Sequence, residues 1–217
     1  MQSQHLARIG IALCAFLLPL QLAYAQAPGD RQAGEVVSLE GGMLTIKSSN
    51  GQPVSVALAD NVRVTLRSKG DLAKLDSGLY VGATATPQPD GTLLASQISI
   101  FPESLRGTAE GHRPMANLPG STMTNATVKQ AAKATVTNAS VTGISGTAEA
   151  RKLVLTYAGG EQTVIVPPSA AIVLSEIGDR AALTPGAKVI IYVTRKPDGS
   201  MVSERVSVGK NGSVPLS

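Results

Sequence analysis

The chain has 217 residues, 43% hydrophobic and 16% charged, with a formal net charge of +4, one cysteine and no tryptophan. Its charges are scattered singly, so no basic block reads as a nucleic-acid footprint, and a single cysteine supports no internal disulfide framework. After residue 25 no apolar stretch approaches the ~20 residues that a membrane-spanning helix requires.

The N-terminus reads as a leader. Arg8 precedes an apolar run from Ile9 to Leu22, and the triplet Ala23-Tyr24-Ala25 follows, which is the layout of a cleavable secretory signal over residues 1–25. The lone Cys14 lies inside this run, preceded by Leu13 rather than by a small residue, so the mature chain is expected to carry no thiol. Removing Arg8 leaves 18 basic against 15 acidic residues, a net of +3. The expected compartment is the periplasm or the exterior.

Beyond a short flexible stretch (26–33), residues 34–101 read as strands. "GEVVSLE" is followed by the Gly41-Gly42 turn, "MLTIKSS" by Asn50-Gly51, and in "PVSVALA" Val54, Val56 and Leu58 alternate with small or polar residues. Val62, Val64 and Leu66 continue the alternation, which implies one buried face. Asp71 then precedes one turn of helix formers ending before Gly78, and "LYVGATATP", the Asp90-Gly91 turn and "TLLASQISIF" complete the unit.

The same order returns in residues 143–209. "GDLAKLDSG" (70–78) recurs as "GDRAALTPG" (178–186), and "PDG" at 89–91 recurs at 197–199, both at an interval of 108. "LTIKSSNGQ" (44–52) faces "LVLTYAGGE" (153–161) at an interval of 109. Asp71 and Asp179 occupy equivalent positions, where capping accounts for them better than chemistry does. The predicted fold is all-β: two tandem small OB-like β-barrels (34–101 and 143–209), each with one short helical turn, after a cleaved signal peptide. SH3-like barrels or small sandwiches are the alternative.

Residues 102–142 read as an inter-domain connection, since subtracting 108 from 110–128 leads into the leader, and 210–217 as a tail. Within the connection, "KQAAKATV" (129–136) is ambiguous between helix and strand and is read as extended. Two sequons, at Asn125 and Asn138, would accept glycans in a host that modifies them.

Chemistry-bearing residues are few. His112 is the one histidine of the mature chain, and "GISG" (143–146) is no nucleophile elbow, so a serine triad lacks support and a hydrolytic enzyme is the weakest reading. No phosphate-cradling loop, zinc ligand set or calcium loop is present, and no cofactor is expected. His112, Met115 and Met123 form a soft set suited to copper(I), although isolated methionines usually serve as flexible gap-fillers.

The segments "IFPESLRGTAEGHRP" (100–114), "LPGSTMTNATV" (118–128) and "YAGGE" (157–161), with the "PDG" and "VGKNG" (208–212) endings, resemble a family of small exported bacterial proteins built on tandem OB-like domains. The resemblance covers nearly the whole mature chain and implies a fold but no activity. The expected function is a non-enzymatic envelope protein that binds a partner protein, a glycan or a small ligand. Nucleic acid is not expected as a partner, because the mature aromatics are only Tyr80, Phe101, Tyr157 and Tyr192.

Overall fold

The computed structural model describes residues 30–116, 118–137 and 147–213. The expected leader, the Asn138 sequon, the "GISG" segment and the last residues of the tail lie outside the described residues.

The described chain is all-β. Its strands are β1 (Asp30–Glu40), β2 (Met43–Ser48), β3 (Pro53–Lys69), β4 (Tyr80–Pro87), β5 (Leu93–Phe101), β6 (Gly111–Pro114), β7 (Thr122–Thr137), β8 (Thr147–Tyr157), β9 (Gly160–Val166), β10 (Ala171–Gly178), β11 (Lys188–Arg195) and β12 (Met201–Gly209). Alternation is kept as read: Val56, Leu58 and Val64 are buried, and Val54, Val62 and Leu66 pack against the same cluster. Both runs belong to one continuous strand, β3. Residues 129–136 are extended within β7. Asp30–Ala33, expected to be flexible, are paired with β11 from Val193 to Ile190.

The closure of the strands departs from the expectation of successive barrels. β1, β2 and β3 form a meander, but β4 and β5 do not close it. Instead β12 pairs in parallel with β3, and β11 pairs with β1, which gives a closed five-stranded barrel in the order β1-β2-β3-β12-β11. The first half's own β4 and β5 join β7, β8 and β9, where β5 meets β9 through the pairs Leu93–Val164 and Leu94–Ile165. Each half of the chain thus donates its last hairpin to the other half.

The short helical turns travel with the hairpins. Leu72–Lys74 and Arg180–Ala182 are single 3-10 turns whose N-caps, Asp71 and Asp179, accept from the backbone N–H groups of Ala73 and Ala181 at 2.9 Å. The capping expectation therefore holds, although Gly78 and Gly186 turn the chain a few residues later rather than ending the helix. Leu75, following the first turn, is buried in the core of β4, β5, β7, β8 and β9, whereas Leu183 is buried in the core of the closed barrel.

The exchange point is tight. Gly70 donates its N–H to the Ile172 carbonyl at 2.7 Å, and a Cβ on Gly70 would lie 2.7 Å from Ile172 Cγ2. At the equivalent position, a Cβ on Gly178 would lie 3.0 Å from Leu66 Cγ. The "GD" that opens both repeat motifs is explained by this contact: glycine lets β3 and β10 run side by side, and Asp caps the turn that leaves them.

The described part of 102–142 does not form a separate connection. Residues 122–137 are β7, the first strand of the second unit, and it pairs with β4 on one side and β8 on the other. Its bulge between Val128 and Gln130 matches the bulge between Val36 and Ser38 in β1, and 128 minus 36 gives an interval of 92. The strands that follow, β2 and β8, stand at an interval of 109, so the hairpin after β7 is longer than the one after β1 by the difference between the two. That insertion hides the partner of β7 from any comparison at 108.

Candidate functional site

Outward-facing residues of the closed barrel bring arginines together across the exchanged strands. Arg31 pairs with Tyr192, Tyr192 with Arg205, and Arg205 with Arg63, so four directly opposed residues form one row over β1, β11, β12 and β3. Directly opposed residues share a face, and the alternate positions Val193, Ile191 and Val206 fill the core, so this row points out. Arg31, Arg63 and Arg205 are exposed and Tyr192 is half-buried.

A bulge sets the geometry. The register shifts at Glu204, which leaves that exposed residue unpaired in the ladder and places Arg205 opposite Tyr192. Ser203 Oγ donates to the Arg205 carbonyl at 2.9 Å and closes the bulge. The Arg205 guanidinium lies 4.5 Å from the centroid of the Tyr192 ring, a cation–π contact that holds it over the sheet. In the neighbouring outward row Ile190 and Ser207 are 2% and 5% exposed.

Arg67 lies beyond them on the same face. Burial depresses its guanidinium below the ordinary value, the Tyr192 hydroxyl opposes this, and the positive charges of Arg31 and Arg205 depress it further. Arg31, Tyr192 and Arg205 thus all act on Arg67, from three other strands.

The fold itself does not demand these charges. The corresponding positions in the other set of strands, at intervals of 92 or 108, are Met123, Thr84, Gln97 and Ala171, and they pair in the same way: Met123 with Thr84, Thr84 with Gln97, Gln97 with Ala171. Even the bulge recurs, with Ser96 Oγ donating to the Thr84 carbonyl at 3.2 Å. One backbone arrangement occurs twice, and it carries a cationic row in only one copy.

Comparison of the chain with protein-family models, with curated proteins and with solved structures gives no match. No helix among the described residues is long and apolar enough to cross a membrane.

The soft set read from the sequence is placed as follows. His112, on β6, lies opposite Thr124 of β7, and its Nδ1 is 2.8 Å from the Thr124 hydroxyl. Thr124 is fully buried, so the histidine satisfies a hydroxyl that would otherwise be stranded in the core. Met123 lies opposite Arg113, one position along β7, and alternation turns it to the face away from His112. Met115 extends the ladder, its N–H donating to the Ser121 carbonyl at 2.9 Å, in the same phase as Arg113. His112 therefore does not converge with the two methionines. Among the described residues no group of three or more His, Cys, Asp or Glu side chains gathers for a metal.

The stretch around β6 has a structural task. Residues 102–110 fold over the outer face of β4: Tyr80 donates its hydroxyl to the Thr108 carbonyl at 2.9 Å, and Asn125 Nδ2 donates to the Ala109 carbonyl at 3.1 Å. Arg106 donates to the Gly78 carbonyl at 2.7 Å and to Thr127 Oγ1 at 2.8 Å while pairing with Glu103. That pairing holds the Glu103 carboxyl below its usual range. Asn125, the acceptor of the first sequon, is 7% exposed and serves this strap.

Proposed function

We propose that the chain is a non-enzymatic, exported envelope protein that binds an oxyanion-bearing partner on the outward face of β1, β11, β12 and β3. One observation carries this reading: the same backbone row occurs twice, and arginines hold three of its four positions in the closed barrel and none in the other set. Exposed arginines in register present planar, bidentate donors suited to carboxylate, sulfate or phosphate. The order β1-β2-β3-β12-β11 is the 1-2-3-5-4 order of an OB-like barrel when β11 and β12 act as its closing hairpin. This supports two OB-like barrels with exchanged hairpins, a fold class that commonly binds ligands on its surface.

The test compares two variants of equal net charge. One is Arg31→Ala/Arg63→Ala/Arg205→Ala, and the other is Lys74→Ala/Lys133→Ala/Lys152→Ala, whose lysines are exposed elsewhere. On a sulfated matrix the arginine variant elutes at clearly lower salt than the lysine variant. Equal elution would mean that retention follows net charge alone and would remove the site.

A further inference from the structure

We infer that the ligand of the Arg31–Tyr192–Arg205–Arg63 row is an acidic polysaccharide laid across the strands. This deepens the oxyanion-binding reading and rests on it. Three features select the class.

The first is extent. The row crosses three of the closed barrel's five inter-strand gaps of about 4.8 Å each, so its cations follow ~14 Å of curved surface. That is too wide for one phosphate or carboxylate and suits a chain that repeats its charge. Arg67 lies to the side of the row and widens the positive field, since Arg31 and Arg205 both act on it.

Shape is the second feature. The row stands on the outward surface of a barrel, whose interior is filled by Val189, Ile191, Val206 and their neighbours. Ligands that need enclosure have no place there, whereas a chain that bends with the barrel surface gains contacts along the row.

Aromatic content is the third. Tyr192 is the one ring in the row, and the Arg205 guanidinium already lies over it. Single-stranded nucleic acid is gripped by a series of rings on which successive bases stack, and a row of arginines around one tyrosine lacks that series. A sugar chain needs only spaced donors for its acidic groups. The counterpart row of Met123, Thr84, Gln97 and Ala171 offers neither charge nor ring, so one chain binds one such segment.

The experiment measures affinity of the full mature chain for alginate (a polyuronate), heparin (a sulfated glycan), neutral dextran, an oligothymidylate and inorganic phosphate, at low and at moderate salt. Expected are binding of alginate or heparin but not dextran, weakening with salt, and a loss of about tenfold or more in the triple arginine variant but not in the triple lysine variant. The conservative variant Arg63→Lys/Arg205→Lys retains part of the binding if charge alone matters and loses most of it if the planar fork is used; either result supports the site. Oligothymidylate bound as tightly as the glycans would overturn the polysaccharide assignment and leave the oxyanion reading standing. Phosphate competing fully at equal charge concentration would reduce the site to a small-anion site and also overturn it. No binding of any anionic probe would overturn both. Circular dichroism of each variant confirms the fold, and a variant that has lost it is replaced by the single substitution Arg63→Ala.

Discussion

Arg67 and Ser175 lie directly opposite each other at the middle of the β3–β10 ladder, and 175 minus 67 is 108. That is the interval between the repeat motifs, so each is the other's counterpart. Every other pair in this ladder is matched by its mirror: Gly178 opposite Val64 corresponds to Gly70 bonded to Ile172. The two halves of the chain are therefore related about this ladder, and the hairpins on either side are exchanged across it.

Gly70 should be the most demanding position at this crossing. Its substituent meets the stiff, β-branched Ile172, whereas a substituent on Gly178 meets the more adaptable Leu66. Gly70→Ala is expected to cost about 1–3 kcal/mol, with Gly178→Ala costing less. Urea midpoints at constant slope measure both, and an equal or reversed order would contradict the packing described.

The exchange also makes a nicked chain hold together. A protease site placed within residues 138–146 would yield a fragment containing β1 to β7 and one containing β8 to β12. Because β11 and β12 complete the barrel begun by β1, β2 and β3, the fragments should migrate as one species and separate only in denaturant. Separation in native buffer would contradict the pairing.

Acid should weaken the fold through carboxylates held below their usual range. Lys188 lowers Glu35, its cross-strand partner at the β1–β11 seam, and the hydroxyls and N–H groups of Thr92 and Ser200 lower Asp90 and Asp198. A carboxyl with a depressed folded value contributes above its unfolded value, and that contribution disappears as pH falls through the folded one. Stability should thus be level from neutral pH down to about 4.5 and decline below it. In Glu35→Gln the decline becomes shallower. A steeper acid slope in that variant would remove Glu35 from the account.

Copper(I) titration should find no site that needs His112 and Met123 together, because strand alternation turns them to opposite faces. Wild type and His112→Ala/Met123→Leu are expected to take up the ion equally. A stoichiometric site lost in the variant would show that β6 leaves the ladder to bind.

The strand alternation, the turns and the capping aspartates were legible because each is a local pattern: Asp90-Gly91 and Asp198-Gly199 are turns in any closure of the sheet. The exchange was not, for a physical reason. Alternation in β4, β5, β11 and β12 gives each hairpin one apolar face, which is satisfied by either set of strands. The close approach at Gly70 and Gly178 marks the crossing, but a glycine before a capped turn reads equally well as a turn residue. The arginine row was hidden with it, since Arg31 and Arg63 meet Tyr192 and Arg205 only after the exchange. The long hairpin behind β7 concealed a strand by shifting its interval from 109 to 92.

The pair Asp30–Val193 has a kinetic consequence. One member opens β1 and the other lies in β11, so the barrel started by the first strands closes only when the last ones arrive. A chain appearing from its N-terminus must keep the edges of β1 and β3 unsatisfied through nearly its whole length, a long-range topology of the slow-folding kind. During that interval a second molecule can supply the missing hairpin as readily as the chain's own C-terminus. Folding yield should then fall as concentration rises, and entangled dimers should be the product lost to it.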